Sequence, residues 1–205
     1  MQPDKPFYYF NGFNSAILED FSGNAKISSV ADFAVRLGYR FVPVSTCYRR
    51  ARVHSSEVLA DISSNAQEVV FCGSSMGGWF ARILQLQLGQ ARPGVRSAAV
   101  AFNPAFDLSL HGNLLLGPQV NFVTGEEYTW TRQDSDGLRR MENGVDDRLP
   151  LPFFVYIDKG DEVIDWQQSA KKHASLARLV LFEGGCHSFD HYQEALADFE
   201  AAFMK

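Results

Sequence analysis

The sequence predicts an α/β protein: a mainly parallel central sheet with helices on both faces. Two observations carry this. Short apolar runs alternate with stretches of helical spacing along most of the chain, the pattern of strands joined by crossover helices. Runs such as Val69-Val70-Phe71-Cys72 are apolar at every position, which marks strands covered on both sides. The 205 residues suit one domain, 1–205, with a sizeable core. There is no internal repeat and no low-complexity tract.

Phe7 to Phe10 reads as an aromatic strand that runs into the turn residues Asn11-Gly12-Phe13-Asn14-Ser15. Ser28 to Leu37 carries Val30, Phe33, Ala34 and Leu37 on a helical stripe, with Gly38 placed to end it. Phe41-Val42-Pro43-Val44 is a second strand, and its proline points to an edge or a strand's end. Glu57 to Ile62 belongs to a second helix, followed by the Val69–Cys72 strand. Met76 to Leu88 is the longest clear helix, expected to end near Gly89. Ala98 to Phe102 is another buried strand, closed by Asn103-Pro104. The pattern weakens from Phe106 to Leu149, and a stretch this long inside a domain reads as a lid-like functional insertion, 106–149. Strands at Phe153–Ile157 and Leu179–Phe182 and helices at Asp165–His173 and Tyr192–Phe203 complete the chain.

The formal net charge of -5 argues against a nucleic-acid surface. The short cluster Arg49-Arg50-Ala51-Arg52 reads as a solvated loop. No apolar run approaches the ~18 residues of a bilayer span, and the first residues lack the layout of a signal peptide. Three cysteines at no metal-like spacing fit a reducing, cytoplasmic setting better than a disulfide framework.

The chemistry starts at Gly73-Ser74-Ser75-Met76-Gly77, between a strand and a helix. Gly-x-Ser-x-Gly in that setting is the pattern of a sharp turn that holds a nucleophilic serine with its hydroxyl exposed. The same five residues also arise by chance in ordinary loops, so the weight falls on the partners downstream. A serine hydroxyl is a weak nucleophile until an imidazole takes its proton and a carboxylate holds the imidazole. The acid belongs after the Phe153–Ile157 strand, where Asp161 sits in mid-loop. Asp158 and Asp165 are alternatives, with Asp165 better placed to cap the next helix. Glu162 is expected to point the other way. The histidine belongs after the next strand. His187 lies there behind Gly184 and Gly185, with His191 the fallback. His54, His111 and His173 read as surface or helix-end residues. The backbone N–H groups of Met76 and Phe13 are candidates to hold the oxyanion. Trp79 reads as core, and Trp130, Ser63 and Ser64 carry no assigned chemistry.

With these pieces in place the chain resembles the YqiA-like esterases of the α/β-hydrolase superfamily. The likeness rests on Tyr9-Phe10-Asn11-Gly12-Phe13-Asn14-Ser15, Gly73-Ser74-Ser75-Met76-Gly77-Gly78, Phe102-Asn103-Pro104-Ala105 and Thr124-Gly125-Glu126-Glu127-Tyr128. It continues through Gly160-Asp161-Glu162-Val163 and Glu183-Gly184-Gly185-Cys186-His187-Ser188-Phe189, so it spans nearly the whole chain. It implies an α/β hydrolase that cleaves acyl esters or thioesters, with Ser75 as nucleophile, Asp161 as acid and His187 as base. Two positions depart from the family pattern. Asn11 stands where a histidine is usual, and Cys186 stands where a polar amide is commoner.

Together these residues read as a serine hydrolase acting on a small-molecule acyl ester or thioester, with no cofactor and no metal required. A thioesterase, lyase or acyltransferase with the same triad is one alternative. A binding protein that keeps the fold without the chemistry is another, suggested by Asn11. The insertion's Leu114, Leu115, Leu116, Phe122, Tyr128 and Trp130 would either line an acyl pocket or cover the edge of the sheet.

Overall fold

The structure is a computed structural model and describes residues 4–204. In its first strand, β1 (Pro6–Phe10), Phe7 and Tyr9 join one apolar cluster and Tyr8 and Phe10 another. Side chains alternate across a strand, so this one strand supplies core to both sides of the sheet. Helix α1 (Ala25–Arg36) follows, then β2 (Arg40–Val44), α2 (Ala51–Asp61), β3 (Glu68–Ser74), α3 (Met76–Ala91) and β4 (Arg96–Phe102). The insertion then contributes α4 (Leu108–His111), β5 (Gly117–Val120), β6 (Glu127–Trp130) and α5 (Arg132–Asn143). The chain closes with β7 (Phe153–Asp158), α6 (Trp166–His173), β8 (Arg178–Phe182) and α7 (Tyr192–Phe203).

Six strands form one sheet in the order β2-β1-β3-β4-β7-β8, and every pairing is parallel. Their C-terminal ends therefore lie along one rim. One face is covered by α1 and α7, through Val30, Phe33, Phe199 and Phe203. The opposite face is covered by α3, α2 and α5, through Phe80, Leu84, Val58 and Leu138. Helix α6 lies over the β4–β7 part of the sheet, with Trp166 and Ala170 against Val155 and Ile157. Pro43 is on the edge strand β2, where a missing N–H disturbs no inner ladder.

Helix α3 ends near Gly89, as expected, at Ala91; a Cβ on Gly89 would lie 2.6 Å from Leu151 Cδ1. Two expectations are corrected. The Arg49–Arg52 segment is not a loop: Tyr48–Arg50 forms a 3-10 turn that leads into α2. Arg49 pairs with Glu126 at 2.8 Å and stands over the Tyr128 ring. The insertion is more regular than its sequence suggests, with an antiparallel β5–β6 hairpin and a helix α5 started by a Thr131–Asp134 capping box. Its apolar residues divide between two roles. Trp130 is buried in the main core, and Leu115 and Tyr128 pack against it. Leu114 and Phe122 are exposed.

Candidate active site

Ser75 occupies the single residue between β3 and α3, with φ 55° and ψ −125°. A side chain in that region is strained and persists only where the surroundings impose it. The motif glycines impose it. A Cβ on Gly73 would lie 2.4 Å from the Gly77 carbonyl carbon, and one on Gly77 would lie 2.3 Å from Phe10 O. Both obstacles are backbone, so neither position accepts a side chain. The turn is also tied to the end of β4. Ser75 N donates to Phe102 O at 2.9 Å, and Ala105 N donates to Ser75 O at 3.0 Å.

The loops after β7 and β8 bring Asp161 and His187 to the same rim. His187 Nε2 lies 3.1 Å from Ser75 Oγ. His187 Nδ1 lies 3.0 Å from both carboxylate oxygens of Asp161. A carboxylate only accepts, so it selects the tautomer with the proton on Nδ1 and leaves Nε2 free to accept from the serine. The Asp161 side chain is 2% exposed. Its Oδ1 also accepts from Val163 N and Ile164 N, at 2.8 Å each. Those two bonds fix the carboxylate independently of the histidine.

The other candidates have different duties. Asp165 caps α6, accepting from Gln167 N and Gln168 N. His191 does not approach Ser75; its Nδ1 lies 2.7 Å from Oδ1 of the fully buried Asp158. Glu162 does not point away, as the sequence suggests, but turns back so that its Oε2 accepts from His187 N at 2.9 Å. That N–H holds the Glu162 carboxyl below the usual range. His54 lies on α2 within 3.2 Å of Glu57, and His111 is exposed at the end of α4. His173 does end α6 but is buried, and that burial pushes its imidazole below the usual value.

On the oxyanion side, Met76 is the first residue of α3. First-turn N–H groups have no intrahelical acceptor and carry the positive end of the helix dipole. The loop after β1 passes directly over Ser75: a Cβ on Gly12 would lie 3.4 Å from the Ser75 Cβ. Phe13 follows, its ring set edge-on against Trp130 at 5.2 Å. Asn11 anchors this loop. Its Nδ2 donates to Gly12 O and Ser15 O, at 2.9 and 2.8 Å, and its Oδ1 accepts from Thr46 N at 2.7 Å. Asparagine here ties the loop down by hydrogen bonds to Gly12, Ser15 and Thr46.

Sequence reasoning missed Asn103. It is buried at φ 42°, a left-handed conformation that asparagine tolerates. Its Oδ1 accepts from Asp158 N at 2.8 Å and its Nδ2 donates to Cys186 O at 2.9 Å. It joins the ends of β4 and β7 to the loop that carries His187. The signals in the sequence are an asparagine closing a buried strand just before a proline and its place in Phe102-Asn103-Pro104-Ala105, neither of which names its role.

A cavity of about 250 Å³ opens beside the site, lined by Ala105, Leu108, Leu114, Val163 and Ile164 among others. Leu114 comes from the insertion and Val163 from the loop that carries Asp161, and both are exposed.

Six parallel strands flanked by helices, with a strained serine at the turn between the third strand and its helix, define a protein of the α/β-hydrolase fold. Solved structures agree. Est1E from Butyrivibrio proteoclasticus matches with TM-score 0.69 at 14% identity, over 98% of this chain and 88% of that one. A putative hydrolase of the alpha/beta superfamily from Xanthomonas campestris pv. campestris matches with TM-score 0.60 at 18% identity, over 97% and 98%. Mouse alpha/beta hydrolase domain-containing protein 10 matches with TM-score 0.63 at 18% identity, over 96% and 88%. Identities this low speak for the fold. Kinship is shown by the family model that matches residues 7–204: the chain belongs to Uncharacterised protein family (UPF0227), the YqiA-like family. Among the described residues, no helix is long and apolar enough to cross a membrane.

Proposed function

We propose that this protein hydrolyses carboxylic acyl esters or thioesters through an acyl-enzyme on Ser75. The observation that carries the reading is the unbroken relay from Ser75 Oγ through His187 to Asp161, with 3.1 and 3.0 Å links. As Oγ attacks the acyl carbon, His187 Nε2 takes its proton. The carbonyl oxygen becomes an oxyanion held by the N–H groups of Met76 and Phe13. When the tetrahedral intermediate collapses, the C–O or C–S bond to the leaving group breaks and His187 returns the proton to it. Water then attacks the acyl-enzyme, giving its proton to His187, and Ser75 recovers that proton as the acid departs. Asp161 stays ionised and stabilises the imidazolium formed in each half. The names of two structural neighbours, an esterase domain from a Rhodothermus marinus protein and a Pyrobaculum calidifontis esterase, agree with ester chemistry on this fold.

Labelling tests it. A fluorophosphonate should modify the wild-type protein at one residue, and peptide mapping should identify that residue as Ser75. A native protein that takes up no label would favour the binding-protein reading instead.

The apolar cavity bears on the substrate. If an acyl chain lies between Leu114 and Val163, kcat/KM for p-nitrophenyl esters should rise about three- to fourfold per added methylene, the equivalent of ~0.8 kcal/mol of burial each. Leu114→Ser with Val163→Ser should flatten that slope while leaving acetate turnover in place. An unchanged slope in the double variant would leave these residues a covering role only.

A further inference from the structure

A second carboxylate–imidazole pair, which the proposed chemistry leaves unused, joins the end of β7 to the far end of the loop that carries His187. Asp158 is fully buried at the end of β7. Its Oδ1 lies 2.7 Å from His191 Nδ1, and its Oδ2 accepts from Asp190 N at 2.8 Å. Gly185, at φ 73°, lies so close that a Cβ there would come within 2.0 Å of the same Oδ2. One buried carboxylate therefore touches this loop before and after His187. An isolated buried carboxylate is costly, so the loop must stay in place to keep Asp158 satisfied.

His191 is fixed from its other side as well. Its ring stacks on Phe182, the last residue of β8, at 4.7 Å and 5°. Between the two anchor points, Phe189 is held at φ 67° with its ring stacked on Phe102 at 4.8 Å. Lys26 of α1 donates to Ser188 O, and burial pushes its ammonium down to about 8. Asn103 holds Cys186 O on the near side.

We propose that Asp158 and His191 are positioning residues. Their hydrogen bond sets where the His187 imidazole stands relative to Ser75 Oγ, and neither side chain reacts with substrate. This rests on the serine-hydrolase reading above. A transition state needs the imidazole to better than an ångström, and a displacement of about 1 Å can cost ~10²-fold. Ground-state substrate binding does not depend on proton transfer to the imidazole and needs it far less.

Two variants of His191 separate the hydrogen bond from packing. His191→Phe keeps a ring on Phe182 and removes the donor. His191→Asn loses the ring and keeps an N–H close to the Nδ1 position. On p-nitrophenyl butyrate, His191→Phe should lower kcat about 10- to 100-fold with KM within about twofold of wild type. The rate of fluorophosphonate labelling should fall by the same factor. His191→Asn should recover most of the loss, and Asp158→Asn should resemble His191→Phe. The opposite order, with His191→Phe active and His191→Asn impaired, would make the pair a packing feature and overturn the proposal. So would a loss below about fivefold in His191→Phe, whether or not Asp158→Asn folds. A wild-type protein that neither labels nor turns over ester would instead overturn the serine-hydrolase reading itself.

Discussion

Ser75→Ala should lower kcat for p-nitrophenyl butyrate by about 10³-fold or more while the fold survives. The loss is expected to be this large because in the proposed mechanism Oγ forms the acyl bond, and among the described residues no other hydroxyl is placed against His187 Nε2. The fold should survive because His187 is the hydrogen-bond partner Oγ gives up, and alanine meets the φ 55° backbone on the same terms as serine. The steric burden of the turn rests on Gly73 and Gly77, which the substitution leaves alone. Thermal melting within a few degrees of wild type, with ester turnover near the uncatalysed rate, is the expected pair of results. Full turnover in that variant would remove Ser75 from the chemistry.

Much of this site is legible in the sequence because a parallel sheet orders it. Each strand run is apolar throughout, so its end is easy to read, and in a parallel sheet all the ends that matter fall on one rim. A serine after Cys72, an acid after Ile157 and a histidine after Phe182 are then placed on the same rim by topology, and the loops bring them together, though Ser75 and His187 stand 112 positions apart. Short-range signals are enough for the motif glycines, whose reason is steric, and for Asp165 as a cap.

The same physics explains the parts that the sequence hides. Helix α5 buries only Ser135, Leu138 and Met141, so its apolar stripe is too narrow to read, and only the capping box marks its start. The β5–β6 hairpin lies outside the central sheet and lacks a continuous apolar run. Glu162 looks misdirected by local reasoning because its partner, the His187 N–H, is 25 residues away. Asp158 and His191 are visible as residues, but their pairing depends on how the loops after β7 and β8 cross. Loop crossings leave no periodic trace in a sequence.

Asp161→Asn should be as damaging as losing the nucleophile, for a reason that lies in proton placement. The carboxylate accepts from three sides: the His187 Nδ1 proton and the N–H groups of Val163 and Ile164. In the amide variant, Val163 N and Ile164 N still require an acceptor, so they keep the remaining carbonyl oxygen at Oδ1. The new NH₂ then takes the place of Oδ2, 3.0 Å from His187 Nδ1, and opposes the Nδ1 proton; Oδ1, at the same distance, is left as the one acceptor and is already shared by two N–H groups. The imidazole is driven to the other tautomer, with its proton on Nε2 toward Ser75 Oγ. In that state it cannot accept the serine proton, and the imidazolium no longer has a counter-charge. A loss in kcat of roughly 10⁴-fold is expected, with KM little changed. The three backbone and side-chain positions stay filled, so melting should remain close to wild type. A loss smaller than about tenfold would move the acid's role to another carboxylate. Glu162, which already holds the His187 backbone, would then be the first to substitute.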